Sequence, residues 1–179
     1  MSKVAILIGS LRRGSFSRSI ANAALALAPE GIEARIVEIG DLPMYNEDIE
    51  ADPPEAWRNF RVAVAGMDGI LFVTPEYNRS IPGCLKNAID VGSRPPNQSV
   101  WKGKRAGVIS VTPYKLGAFG ANHALRQTFV FLDMPAMQQP EAYISNVQDL
   151  LDDAGGLANE DTRRFLTKFM QAFARWVEG

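Results

Sequence analysis

Short apolar runs rich in β-branched residues alternate along this chain with stretches of helical period, and that alternation fixes the class of fold. Val4 to Ile8 is continuously apolar, the signature of a strand buried on both faces. Ser17 to Ala28 then places Ile20, Ala23, Ala24, Leu27 and Ala28 at helical spacing, and Pro29 and Gly31 stop it. Ile32 to Ile39 alternates as a second strand. Asp41 to Pro54, with three prolines and several acids, reads as a loop, and Pro54 to Ala65 as a helix with Trp57, Phe60 and Val64 on one face. Gly69 to Thr74 is a buried strand, Ile81 to Asp90 a helix with Pro82 in its first turn, and Ser93 to Ser99 a polar loop. Arg105 to Val111 is another buried strand, followed by a helix over Gly117 to Leu132. A short last strand falls within Met134 to Ser145, and Asp161 to Val177 closes the chain as an amphipathic helix.

Five strands each followed by a helix demand a mostly parallel, doubly wound sheet with helices on both faces. The 179 residues fit one domain, residues 1–179, with no linker to divide them. In such sheets ligands bind outside the carboxyl ends of the strands. The loops after Ile8, Val73 and Val111 are therefore where function is sought.

Composition removes several chemistries. One cysteine, Cys84, cannot form an internal disulfide or a cysteine-rich zinc site, and one histidine, His123, cannot supply a multi-histidine metal site. No metal is expected. Nineteen basic and twenty acidic residues leave a formal charge of -1, so no nucleic-acid footprint is expected. The apolar run near Met1 is too short for a signal-peptide core or a membrane span. The expectation is a soluble, cytoplasmic protein with no membrane partner. Trp57, Trp101 and Trp176 read as core or interface aromatics.

The first loop, Gly9-Ser10-Leu11-Arg12-Arg13-Gly14-Ser15-Phe16-Ser17-Arg18, holds three hydroxyls, two glycines and three arginines before a helix. Hydroxyls, free helix amides and guanidinium groups are donors for phosphate oxygens, and the helix dipole favours the anion. Alternatively, Ser15 or Ser17 merely caps the helix and the arginines sit in water. The loop has neither G-x-x-x-x-G-K-[ST] nor G-x-G-x-x-G, so a terminal monophosphate suits it better than a nucleoside triphosphate or a pyrophosphate.

The second loop, Thr74-Pro75-Glu76-Tyr77-Asn78-Arg79-Ser80-Ile81-Pro82-Gly83-Cys84, leads with a rigid turn. Tyr77 and Asn78 there suit a flat heteroaromatic ring, by stacking and by amide hydrogen bonds. The plainer reading is a turn whose Asn78 or Ser80 caps the next helix.

Together, GSLRRGSFSR and PEYNRSIPGCLKNAID closely resemble the NADPH-dependent FMN reductase family, which includes bacterial chromate, quinone and azo-dye reductases. The resemblance spans most of the chain in element order, and the second motif keeps its spacing over some fifteen positions. It implies a flavodoxin-like fold with strand order 2-1-3-4-5. It implies that Ser10, Arg12, Ser15 and Ser17, with Phe16 beside them, hold the FMN phosphate. Family members often carry Asn at the place of Ser17. Pro75, Glu76, Tyr77 and Asn78 match the loop along the isoalloxazine and ribityl chain, although Glu76 also suits a structural or interface carboxylate. Lys86 and Asn87 suit packing or an interface.

In the third loop, Thr112 and Gly117 match the family's cofactor positions. Ala118 replaces a second glycine, the following arginine is missing, and Tyr114 and Lys115 are bulky additions. His123 reads as a surface or helix-packing residue and Cys84 as small packing. The resemblance further implies FMN-dependent NAD(P)H oxidation with ping-pong hydride transfer to quinones, chromate, azo dyes or free flavin. NADPH or NADH serves as co-substrate. It also implies a homodimer or homotetramer with FMN near the interface, through the helices after the second and third loops. The alternative on the same fold is a flavodoxin-like electron carrier without substrate turnover. The proposed chemistry resides on the cofactor, and no catalytic side chain is assigned.

Overall fold

A computed structural model describes all residues, 1–179. Strands β1 (Ser2–Ile8), β2 (Ile32–Ile36), β3 (Gly69–Thr74), β4 (Arg105–Val111) and β5 (Ala142–Ile144) form one parallel sheet in the order β2-β1-β3-β4-β5. Helices α1 (Phe16–Ala26), α2 (Glu55–Ala65), α3 (Gly83–Ser93), α4 (Phe119–Leu132) and α5 (Glu160–Glu178) cover both faces. This is the flavodoxin-like order expected from the sequence.

The period-2 pattern of the strands divides the core in two. Val4, Ile6, Ile8, Leu71, Val73, Ile109 and Val111 pack against α1 and α5, where Ile20, Ala24, Phe169 and Phe173 meet them. Ala5, Leu7, Ile70, Phe72, Ala106 and Val108 face α2, α3 and α4, through Trp57, Phe60, Leu85, Ile89, Leu125 and Phe129. Trp101 is fully buried in this second layer and donates its indole N–H to the Ile89 carbonyl at 2.9 Å.

Some boundaries differ from the sequence reading. β2 ends at Ile36 rather than Ile39: the alternation runs on, with Val37 and Ile39 packed in the α2–α3 layer and the Val37 N–H donating to the Ile6 carbonyl, but the paired register with β1 stops at Ile36. α3 begins at Gly83, with Pro82 as its N-cap. Neither Asn78 nor Ser80 is therefore that helix's cap. Asn87 is a packing residue: its side chain accepts from the Tyr45 N–H at 2.8 Å and donates to the carbonyls of Leu42 and Pro43. It pins the long 41–54 segment to α3. Lys86 instead pairs with Asp90, one turn along the same helix, at 2.7 Å.

Candidate functional site

The three loops singled out above close around one cavity of about 570 Å³ at the carboxyl edge of the sheet. The first loop and the start of α1 contribute Ser10, Arg12, Ser15, Phe16 and Ser17. The second contributes Pro75 to Arg79, and the third Val111 to Tyr114 with Leu116 and Ala118.

At the α1 end, Ser10 and Ser17 are only 5% and 1% exposed, yet both line the cavity. Ser15 is the N-cap, accepting from the Arg18 N–H at 3.4 Å. The N–H groups of Phe16 and Ser17 belong to the first turn of α1, which has no intrahelical partners for them. The Arg12 guanidinium lies 5.1 Å from the Phe16 ring centroid, a cation–π contact at the cavity wall. Hydroxyls, leading amides and one guanidinium are donors of the kind that an anion takes. Arg18 is not among them. Its guanidinium forks onto Glu38 at 2.7 and 2.8 Å, and that hydrogen-bonded pair holds the Glu38 carboxyl below its ordinary range. Of three arginines in the loop, only Arg12 lines the cavity.

The second loop is a tight turn. Tyr77 N–H donates to the Ser80 carbonyl at 3.1 Å and Ser80 N–H to the Tyr77 carbonyl at 2.9 Å. Asn78 and Arg79 between them have φ of 51° and 63°. Two successive left-handed residues define a type I′ turn, a conformation costly for arginine. Glu76 secures it. Its carboxylate accepts from Arg79 Nη1 at 2.6 Å and from the Ala121 N–H at 3.3 Å, tying the turn to the start of α4.

The third loop is held from beneath. Ser110 Oγ donates to the Gly117 carbonyl at 2.6 Å and accepts from Asn122 Nδ2 at 3.2 Å, and Arg126 Nε donates to Asn122 Oδ1 at 2.9 Å. Thr112 lines the cavity, and its Oγ1 accepts from the Tyr114 N–H at 3.2 Å. Gly117 does not line it. Its φ is +59°, and a Cβ there would lie 2.6 Å from Tyr143 Cβ, so the residue is a steric hinge beneath the loop.

Residues 2–149 match the family described as NADPH-dependent FMN reductase. The chain belongs to that family. It is 59% identical over 176 residues to a quinone reductase of Pseudomonas putida, covering 98% of this chain and 94% of that protein. It is 45% identical over 175 residues to a 2-hydroxy-1,4-benzoquinone reductase of a Burkholderia species, covering 98% and 96%. Among solved structures, the flavoenzyme NAD(P)H:acceptor oxidoreductase FerB of Paracoccus denitrificans superposes with a TM-score of 0.93 at 39% identity, covering 99% of this chain and 98% of that one. The protein is an oxidoreductase that uses FMN with NAD(P)H as co-substrate.

Several features of this FMN reductase escape sequence reading. The Ala118 backbone is left-handed, φ 55° and ψ 40°, a conformation that glycine adopts without a Cβ penalty. Gly120 admits the second loop: a Cβ there would sit 2.8 Å from the Arg79 carbonyl oxygen and 2.9 Å from Glu76 Oε2. A glycine within a helical pattern was the one available signal. The Ser110–Asn122–Arg126 network left no local trace. His123 is exposed as expected, but it has partners: its Nε2 lies 3.0 Å from the Tyr143 hydroxyl and its ring 4.1 Å from Phe119. Tyr143 donates to Glu141 at 2.9 Å, and burial together with that carboxylate pushes its phenol up to about 12. Burial likewise pushes the half-buried Cys84 thiol up, as suits an inert packing residue.

Proposed function

We propose that this FMN reductase is a quinone reductase whose cofactor occupies the 570 Å³ cavity. The observation that carries this reading is the convergence of phosphate donors from the first loop and of the Pro75–Arg79 and Val111–Tyr114 segments in one cavity. The donor set fits FMN. A phosphate monoester needs several donors and no enclosing glycine loop, and the hydroxyls of Ser10, Ser15 and Ser17, the first amides of α1 and Arg12 supply them. Pro75, Glu76, Tyr77 and Asn78 would take the ring and ribityl chain, with Thr112 also lining the cavity and Gly117 acting through the loop it supports.

When bound, FMN supplies hydride acceptance from NAD(P)H and electron delivery to the acceptor. The chain's own residues bind, orient and shield. Amide donors near the ring of a bound flavin would favour negative charge on it. Tyr77 and Tyr114, 52% and 75% exposed, stand at the mouth and offer stacking area to planar acceptors. Such recognition needs few directional contacts, so azo dyes and free flavin are further acceptors of this reading, and chromate, which cannot stack, would accept electrons as an anion at the open mouth. Nicotinamide and acceptor take turns at one mouth, which gives ping-pong kinetics. The name of the Pseudomonas putida relative, at 59% identity, favours the enzyme over a carrier without turnover.

The exposed Phe119, Val130 and Phe131 of α4 support a homodimer or homotetramer built on this helix, near the cavity. A single free thiol accords with a cytoplasmic setting. No helix is long and apolar enough to cross a membrane.

The test is steady-state oxidation of NADPH and NADH by FMN-loaded protein across quinones, free flavin, an azo dye and chromate. Parallel double-reciprocal lines with a benzoquinone are expected. NAD(P)H oxidation that no quinone accelerates would reject the reading.

A further inference from the structure

A second groove lies at the opposite end of the sheet from the cavity, between the C-terminal half of α2 and the segment joining α3 to β4. Its volume is about 590 Å³. Arg58, Arg61, Lys102 and Lys104 line it, with no carboxylate among the lining residues. Val62 and Val100 add apolar wall.

Two of these cations are fixed in place. Arg61 donates to the carbonyls of Val91 at 3.1 Å, Gly92 at 3.4 Å and Gln98 at 2.8 Å. Lys104 donates to the carbonyls of Ala65 at 2.9 Å and Met67 at 2.5 Å. These bonds cap the C-terminal ends of α3 and α2, which alone would justify a cation at each place. They satisfy donors without cancelling whole charges, because a helix end offers only about half an elementary charge. Burial holds both groups below their ordinary values, and carboxylates reach them only through space, Glu50 toward Arg61 and Asp68 toward Lys104. Helix capping gives no account of the other two. Arg58 donates to the Pro53 carbonyl just ahead of α2 and stands 3.6 Å from the fully exposed Asp52, a weak pairing, and Lys102 is exposed. Four cations thus converge on one concavity, two of them positioned before any ligand arrives.

We propose that this groove binds a small, multiply charged phosphate compound, at a site separate from the FMN cavity. Pyrophosphate is the shared chemistry, whether free or carried by a nucleoside diphosphate. Fixed cations offer charge-assisted donors at little reorganisation cost, and the valine walls leave room for an organic moiety.

The test uses FMN-saturated protein, so that the cofactor seat is filled, and titrates it calorimetrically with inorganic pyrophosphate and with ADP. One site is expected, weakening as salt rises. Lys102→Glu should weaken it about tenfold, the loss of one charge-assisted contact, while FMN affinity and quinone reduction stay unchanged. Arg58→Glu should do the same, with its melting temperature read alongside because it also removes the bond to the Pro53 carbonyl ahead of α2. Equal affinity for the two ligands assigns the site to the phosphates alone, and tighter ADP binding assigns it to a nucleotide. Three results would overturn the proposal: no binding at millimolar ligand, binding indifferent to both reversals, or capture of a polyglutamate peptide but not of pyrophosphate.

Discussion

Glu76 and Arg79 form an ion pair at 2.6 Å across a turn whose backbone is left-handed at Arg79. The same carboxylate accepts the Ala121 N–H of α4, so one side chain joins the second loop to the helix that follows the third. Gly120 permits the approach. Gly120→Ala is expected to destabilise the fold by about 1–3 kcal/mol, because its Cβ meets a backbone carbonyl that cannot rotate away. Glu76→Ala should cost about 1 kcal/mol through the unpartnered amide, and Glu76→Gln less, since an acceptor remains. Urea denaturation of the three variants measures this, and an unchanged midpoint in Gly120→Ala would refute the packing argument.

Arg12 and Arg18 separate cleanly by geometry. Arg12 lines the cavity, whereas Arg18 is committed to Glu38. Arg12→Ala is expected to weaken FMN binding roughly tenfold or more, the scale of a hydrogen bond to a charged group, and Arg18→Ala to leave it within about twofold. Ser15→Ala should lower both FMN affinity and stability, the latter by about 1 kcal/mol, because the residue also caps α1. Flavin fluorescence titration reads all three. Equal losses in the two arginine variants would reassign the seat.

The hydrogen bond from Arg18 depresses the Glu38 carboxyl in the folded protein. Its stabilisation is therefore complete above the unfolded value of about 4.3 and disappears as pH falls through the lower folded value. Both side chains are substantially exposed, so the effect is at most about 1 kcal/mol. Stability of the wild type relative to Glu38→Gln should shrink between pH 6 and pH 3. A difference independent of pH would remove the pair from the account.

Tyr143 has the opposite sign. Burial and Glu141 raise its phenol to about 12, so the folded state holds this proton more tightly than the unfolded chain does. Its contribution is present below about pH 10 and is lost as pH rises toward 12. Ultraviolet titration should show a late-ionising tyrosine that Tyr143→Phe abolishes. Loss of an early component instead would contradict the burial of this hydroxyl.

Much of the fold was readable along the chain. Val4 to Ile8, Gly69 to Thr74 and Arg105 to Val111 are apolar on both faces, and only a covered parallel sheet buries such runs. The first two loops were legible as well, because hydroxyls before a helix and a proline-led turn are local chemistry. Local pattern overran at Ile39: Val37 and Ile39 keep the alternation, facing the α2–α3 layer, yet the register with β1 ends at Ile36. It failed at Arg18, a plausible phosphate ligand by position until Glu38, twenty residues away, takes its guanidinium.

The sequence by itself determined the sheet, the helices and the three loops that matter, since each is written in contiguous residues through periodicity, capping and turn chemistry. Tertiary structure alone decided which side chains meet. Glu76 reaches Ala121 across 45 positions and Ser110 reaches Asn122 across 12, while Gly117 lies against Tyr143. Such contacts arise only when strands β3, β4 and β5 lie side by side, and no local propensity encodes them.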